Sequence, residues 1–153
     1  MMIAQLQDFV YGELAGLFSN YTLRAADGKT TAIKVYKQDL PVPESDDDAE
    51  ETPPFIIVRL VDGEQSEWNG EYTVNAAAII CVWDNARERQ GAADVLGIIT
   101  RIHEHFMKHP ALRGQFKTPF KWVLNDEDTF PYYYGACQFS LTASAIRRED
   151  PLT

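Results

Sequence analysis

Three histidines, His103, His105 and His109, lie within seven residues of one predicted helical segment. On an α-helix His105 and His109 are one turn apart and share a face, which is the spacing that zinc sites on helices use. The zinc-protease pattern would place its second histidine at Met107, and the sequence shows no third ligand. Because a zinc site needs three or four ligands, we interpret these histidines as structural or solvent-exposed. We therefore expect no metal and no cofactor, and His105 with His109 form the metal-binding alternative.

The sequence contains no recognisable catalytic nucleophile. No serine has the context of a nucleophile elbow, and neither Cys81 nor Cys137 has a neighbouring histidine in the sequence. Both cysteines lie inside apolar segments of β type, which predicts buried free thiols rather than a disulfide. The glycines of the helical segments occur singly, so no loop that could cradle a phosphate is indicated. We therefore predict that the protein is not an enzyme, and the alternative is a small metal-dependent enzyme that uses His105 and His109.

Residues 41–54 form an acidic segment bounded by prolines. Like charges at this density repel one another, and proline removes backbone donors, so we expect a mobile surface loop. A calcium site is the alternative, but the segment lacks the alternating ligands, the glycine and the terminal glutamate of an EF-hand. The acidic residues are Glu44, Asp46, Asp47, Asp48, Glu50 and Glu51.

Composition and charge restrict the class of protein. A chain of 153 residues with 45% apolar and 24% charged residues is typical of one soluble domain. The net charge of −9 disfavours binding to the phosphate backbone of nucleic acid. The longest apolar run, residues 76–83, is too short to span a membrane, and the first residues do not resemble a secretory leader. We expect cytoplasmic production, no nucleic-acid partner and no membrane partner.

The first half of the chain predicts a helix, a strand and a hairpin. Apolar residues recur at helical spacing over residues 3–18, and residues 30–38 alternate as a half-buried strand does. Residues 55–61 and 72–83 are rich in Ile, Val and aromatic residues, which predicts an antiparallel hairpin. The second strand is apolar on both faces and is therefore placed centrally. Asp62-Gly63 and Asn69-Gly70 are reversal signals, and the polar tip carries Trp68.

The second half predicts a long helix and a second hairpin. An apolar stripe favours a helix over residues 86–108, with Asp84 or Asn85 as the N-cap and His109-Pro110 as the end. Residues 120–124 form a short strand, and a long alternating strand follows the turn at 125–129. The prediction is one α+β domain, residues 1–153. Its mostly antiparallel sheet of about four to five strands packs against an N-terminal helix and a long central helix.

Taken in order, several segments resemble the tail terminator family of long-tailed bacteriophages and prophages, also described as tail completion or minor tail proteins. The resemblance covers about residues 53–150 and depends on the order and spacing of these segments. They are Pro-Phe-Ile-Ile-Val-Arg-Leu-Val-Asp-Gly-Glu at 54–64, Val-Trp-Asp at 82–84 with Gln-Gly at 90–91, Phe-Lys-Trp at 120–122, Pro-Tyr-Tyr-Tyr-Gly at 131–135 and Ile-Arg-Arg at 146–148.

This resemblance implies a structural role in the virion. Such proteins form a ring, usually a hexamer, at the head-proximal end of the tail tube, where they stop tube polymerisation and present the surface for head–tail joining. The implied partners are other copies of the chain, the tail tube protein and a head–tail connector or neck protein. The implied location is the host cytoplasm during assembly and the virion tail afterwards. A head–tail connector or a tail tube protein of a prophage is the alternative reading.

The contact residues are predicted from the turns. Tips between strands and helix entries concentrate function when the scaffold is rigid. We therefore predict that Trp68 and Asn69 at the hairpin tip, and Asp84, Arg87 and Arg89 at the helix entry, contact other copies or partners. A head-to-tail ring uses different patches on the two sides of each subunit, which suits exposed turns and sheet rims. The excess of negative charge would suit a lumen through which DNA passes without sticking.

Overall fold

The structure is a computed structural model that describes residues 3–42, 52–109 and 115–142. Two α-helices and two β-sheets form its regular elements. In chain order these are α1 (Ile3–Leu17), β1 (Thr22–Arg24), β2 (Thr30–Ala32), β3 (Lys34–Lys37), β4 (Phe55–Glu64), β5 (Thr73–Trp83), α2 (Gly91–Lys108), β6 (Phe116–Leu124) and β7 (Tyr132–Thr142).

The main sheet has five strands in the order β3-β4-β5-β7-β6, and β1 with β2 forms a separate two-stranded ribbon. β3 pairs parallel to β4, and the other three pairings are antiparallel. β5 has a neighbour on each side, as its two apolar faces predict. Among the described strands, this order leaves β3 and β6 at the two edges of the sheet.

Both helices cover the same face of the sheet and form one large core with it. α1 contributes Leu6, Val10 and Leu14 at helical spacing, and α2 contributes a longer stripe that ends at Phe106. This arrangement confirms the predicted α+β fold, with an N-terminal helix and a central helix on a mostly antiparallel sheet. Other members of the core are Ile56, Val58, Ala78, Ile80, Val82, Val95, Ile98, Ile102, Cys137, Phe139 and Leu141.

The opposite face of the sheet is divided. At one end a smaller apolar cluster contains Phe55, Ile57 and Cys81, with Leu40 packed against it. Toward the other end the side chains are polar, and hydrogen bonds connect adjacent strands across the sheet. Asn75 donates to Asp62 at 2.6 Å, and Ser140 donates to Asn75 at 2.6 Å. No described helix covers this face.

The single strand predicted for residues 30–38 is wrong in one respect, because it is two strands in two different sheets. β2 ends at Ala32 and β3 begins at Lys34, with the buried Ile33 between them. The Ile33 amide donates to the carbonyl of Tyr21 at 3.3 Å, which extends the β1–β2 ladder by one bond before the chain enters the main sheet at Lys34. An alternating pattern shows that the chain is extended, but it carries no information about which neighbour each half pairs with.

The prediction that Asp62-Gly63 reverses the chain is also wrong. Both residues lie inside β4 and pair with Asn75 and Val74 of β5. The ladder shifts its register between Leu60 and Asp62, so the intervening residue forms a β-bulge. The reversal itself lies between Glu64 and Thr73, and Asn69-Gly70 is inside it.

The predicted start of the central helix is wrong by five residues. α2 begins at Gly91, and its N-cap residue is Gln90, which makes no side-chain capping bond. Asp84 instead accepts from the amide of Ala86 at 2.9 Å, and Arg89 has a left-handed φ of 55°. A side-chain acceptor that closes a local turn, followed by a left-handed residue, prevents helix formation upstream of Gly91. The predicted end is confirmed, since α2 stops at Lys108 before an extended His109.

Two other predicted boundaries change. β6 begins at Phe116, four residues before the predicted strand, and its register is interrupted between Lys117 and Lys121. Pro53 and Pro54, placed in the mobile loop at 41–54, are buried, and the Pro54 carbonyl accepts from the amide of Lys34. The acidic residues 43–51, Pro110 and the segment 143–150 lie outside the described residues.

Candidate assembly surfaces

The hairpin tip presents Trp68 to solvent on a fixed backbone. The side chain of Trp68 is 92% exposed. The side-chain amide of Gln65 donates to the carbonyls of Glu67 at 3.2 Å and Trp68 at 3.1 Å, and the Gly70 amide donates to Glu67 at 3.0 Å. Asn69 is also exposed. An aromatic residue held out by a fixed turn has the chemistry of an interface anchor, because little conformational entropy is lost when it is buried.

The helix entry at residues 84–90 contains the other three predicted contact residues, in three different environments. Arg87 is exposed and forms no ion pair with any carboxylate that the structure describes. Arg89 pairs with Asp128, and its guanidinium carbon lies 5.0 Å from the centre of the Phe130 ring. Asp84 is partly buried and closes the local turn. Arg87 is therefore the member of this group that is available to a partner, whereas Asp84 and Arg89 stabilise the entry.

The two predicted contact regions lie at opposite ends of the same strand. β5 has 11 residues, from Thr73 beside the tip to Trp83 beside the helix entry. At about 3.3 Å per residue the two regions are roughly 33 Å apart. They form two separate surfaces, and one partner patch of ordinary size would not cover both.

A third exposed surface lies at the edge strand β6 and is absent from the sequence predictions. Trp122 and Val123 are each 55% exposed on opposite sides of this strand. Beside Val123, on the face that no described helix covers, a recess of about 430 Å³ is open to solvent. Ile79, Val123, Tyr134 and Ala136 form its apolar wall, and Asn125 and Asp126 stand at its rim. We call this feature the β6 recess.

The sequence contained one signal for this edge. Trp122 and Val123 are adjacent apolar residues in a strand, and adjacent side chains point to opposite faces. Such a pair indicates a strand that is apolar on both sides, which is unusual where one side is solvent. No local pattern shows that β6 lacks an outer neighbour among the described strands, so the exposure of both side chains depends on the sheet order.

The wall of the recess continues into the smaller apolar cluster through Tyr134 and Cys81, which face each other on paired strands. Burial raises the pKa of the Cys81 thiol to about 12. Burial, together with the neighbouring thiol, raises the pKa of the Tyr134 hydroxyl to about 12. Both groups are therefore neutral at physiological pH, and this part of the sheet face is uncharged.

The three histidines make structural contacts, and one of them joins the two helices. His105 Nε2 lies 2.8 Å from Glu13 Oε1 of α1, and the rings of His105 and His109 are 4.2 Å apart between centres. His103 packs against Phe120 of β6, with 4.9 Å between ring centres. Within residues 3–42, 52–109 and 115–142, no three His, Cys, Asp or Glu side chains are grouped so that they could hold a metal ion. His105 and His109 do share a helical face, as their spacing predicts. The described carboxylate beside this pair is Glu13.

Both cysteines are free and buried, as their apolar segments predict. In the described part of the chain, no helix is both long enough and apolar enough to cross a membrane.

Comparison with known proteins leaves the family open. No protein-family model matches the chain, and no curated protein matches it at the significance required.

Proposed function

We propose that the protein is a structural virion protein of the tail terminator type. It forms a ring at the head-proximal end of the tail tube of a phage or prophage, ends tube polymerisation and forms the surface for head–tail joining. It acts through surface contact and is not an enzyme. In this proposal it resides in the host cytoplasm during assembly and then in the virion tail.

The observation that carries the proposal is the exposed Trp68 at the end of a long hairpin. β4 and β5 have 10 and 11 residues, and the tip beyond them has its own hydrogen bonds. An exposed tryptophan on such an arm offers a large, rigid apolar surface of the kind that anchors protein interfaces. The exposed apolar edge at β6 gives the same subunit a second, different surface. Two different surfaces on one subunit are what a head-to-tail ring requires.

The ordered segments that resemble tail terminators occupy the parts of the fold that support such a role. They include the β4–β5 hairpin, the entry to α2, the outer part of β6 and the start of β7. A negative chain is compatible with a ring lumen through which DNA passes. A head–tail connector or tail tube protein would share the virion location but would assemble on a different partner.

The proposal is tested first by sequencing the DNA that flanks the gene. Neighbouring frames that encode capsid, connector and tail tube proteins are the expected result. A neighbourhood of metabolic enzymes would count against a virion role. The tube protein from that neighbourhood then provides the binding assay, and binding to the neck protein alone would favour the connector alternative.

Replacement of Trp68 by alanine tests the tip directly. We expect the variant to fold as the parent does and to bind the tube end roughly thirtyfold more weakly, because tryptophan anchors contribute about 2 kcal/mol or more. The measurement is tube length by negative-stain electron microscopy with increasing amounts of each protein. Leu96→Ala, an exposed apolar residue on α2, is the matched control and should cap tubes normally. Loss of folding in Trp68→Ala would show instead that the indole supports the hairpin.

A further inference from the structure

The β6 recess combines an apolar wall with an acidic rim. Asp126 stands at the rim, and Glu127 follows it in the same loop. Both side chains are exposed, and neither forms an ion pair within the described parts of the chain. An occupant that is apolar along its length and positively charged at its end would satisfy both features.

The same loop already binds a side chain of this kind from its own chain. Arg89 places its guanidinium near the Phe130 ring and pairs with Asp128, two residues beyond Asp126. An aromatic face and a carboxylate together hold a guanidinium through cation–π and ionic attraction. The β6 recess offers the same combination, Tyr134 with Asp126, without an occupant from the described part of its own chain. Its chemistry therefore favours arginine or lysine.

The β1–β2 ribbon carries two such side chains. Arg24 at the end of β1 and Lys29 in the turn are exposed, and neither is paired with a described carboxylate. Their immediate neighbours Thr22, Thr30 and Ala32 are small and also exposed. The ribbon thus presents two long basic side chains with aliphatic stems, and its one carboxylate, Asp27, accepts from the Lys29 amide in the turn.

The ribbon and the recess are associated with opposite edges of the main sheet, at the same end of it. The ribbon connects through Ile33 to Lys34 at the start of β3, which is one edge strand. Lys34 pairs with Phe55, Phe55 with Cys81, and Cys81 with Tyr134 in the wall of the recess. β3 and β6 are four strand spacings apart, about 19 Å. The ribbon packs against the helix-covered core, whereas the recess opens on the opposite face, so the two surfaces of one copy are separate and can meet only between copies.

We propose that the β6 recess of one copy receives the β1–β2 ribbon of a second copy, with Arg24 and Lys29 meeting Asp126 and Glu127. This inference rests on the self-assembly in the proposed function and names the surfaces that form it. The contact is heterologous, because the ribbon and the recess are different surfaces of each copy. Repeated around an axis, such a contact closes a ring when the rotation allows it.

The test is a charge exchange between two single variants, Asp126→Lys and Arg24→Glu. Each variant alone opposes like charges at the contact, and we expect at least tenfold weaker self-association than in the parent. In an equimolar mixture the recess of Asp126→Lys meets the ribbon of Arg24→Glu, so opposite charges face each other. The unchanged recess of Arg24→Glu meets the unchanged ribbon of Asp126→Lys. We expect the mixture to recover assemblies of the parent size. The measurement is sedimentation velocity over a concentration series at low and high salt, where screening should weaken the parent contact.

Two further variants control for net charge. Glu104→Lys and Lys108→Glu carry the same charge changes on exposed positions of α2 and should associate as the parent does. Circular dichroism confirms that all four variants fold. The proposed contact is wrong if Asp126→Lys and Arg24→Glu both assemble as the parent does, or if their mixture does not form assemblies of the parent size. A ring formed through other surfaces would remain possible in either case. A parent that stays monomeric at its highest soluble concentration also overturns it, and the terminator proposal is then judged on tube binding alone.

Discussion

Individual residues in this protein have roles that follow from what each one contacts. Trp68 is exposed at the tip of the β4–β5 hairpin. His105, one of the two histidines considered as metal ligands, pairs instead with Glu13 of the other helix. Arg89 was predicted to meet a partner and is held by Asp128 and Phe130 of its own chain. Spacing alone selects residues that share a face, whereas contact decides whether such a residue is available.

The two cysteines provide a prediction at this scale. Burial raises the pKa of Cys81 and of Cys137 to about 12, from an ordinary value of 9.0. This rise in pKa lowers the thiolate fraction at pH 8 roughly a thousandfold, and the thiolate is the reactive form. We therefore expect almost no alkylation by iodoacetamide in the folded protein at pH 8. Modification followed by mass spectrometry is the measurement.

Alkylation of the unfolded protein is the control for this prediction. In a concentration of urea that unfolds the chain, both cysteines should react at the rate of a model thiol. Rapid modification of either cysteine without denaturant would mean that the sheet opens around it far more often than a buried core position allows.

At the scale of elements, the contact between α2 and β7 depends on the glycine that begins the helix. A methyl group on Gly91 would overlap the ring of Tyr133, whereas a methyl group on Gly97 would meet the Tyr21 hydroxyl at an ordinary 3.4 Å. The two glycines lie in one helix, six residues apart, and so form a matched pair. The first permits close approach to the sheet, and the second has no comparable crowding.

Opposite effects on stability are expected for the two alanine variants. Gly97→Ala should stabilise the protein by up to about 1 kcal/mol, because alanine has the higher helix propensity. Gly91→Ala should destabilise it by about 1–3 kcal/mol, because overpacking against the aromatic ring exceeds that gain. Urea unfolding gives both free energies. Equal stabilisation in the two variants would show that Tyr133 moves away at little cost.

The elements also show where local patterns are insufficient. Apolar periodicity predicted both helices and the β4–β5 hairpin, because each depends on neighbouring residues in the chain. The break at Ile33, the bulge after Leu60 and the start of α2 at Gly91 depend on partners distant in sequence or on a left-handed residue. Those three features were mispredicted for that reason.

At the scale of the whole molecule, one core joins both helices to four strands. Residues of α1, α2, β4, β5, β6 and β7 all belong to it. Because no element has a separate core of comparable size, we expect one cooperative unfolding transition. Far-UV circular dichroism, which follows the helices, and tryptophan fluorescence should give the same midpoint in urea. Two separated midpoints would indicate that the helices detach before the sheet unfolds.

The proposed ring also belongs to this scale. The subunit has an exposed aromatic tip, a basic ribbon and an apolar recess with an acidic rim, and the ribbon and recess are associated with opposite edges of one sheet. Surfaces that differ in charge and lie apart on the subunit favour a directional contact between copies. The tip is left free for the tube in this arrangement.

The sequence by itself determined the α+β class, the buried thiols, the central position of β5 and the exposed tryptophan at a hairpin tip. These features follow from side-chain polarity and its period along the chain, which act locally. Only the tertiary structure decided the strand order, and with it the free edge at β6, the recess beside Val123 and the opposite placement of the ribbon. Pairing between strands depends on contacts between residues far apart in the chain. A one-dimensional pattern therefore specifies which face of a strand is apolar but not which strand, or which other copy, covers it.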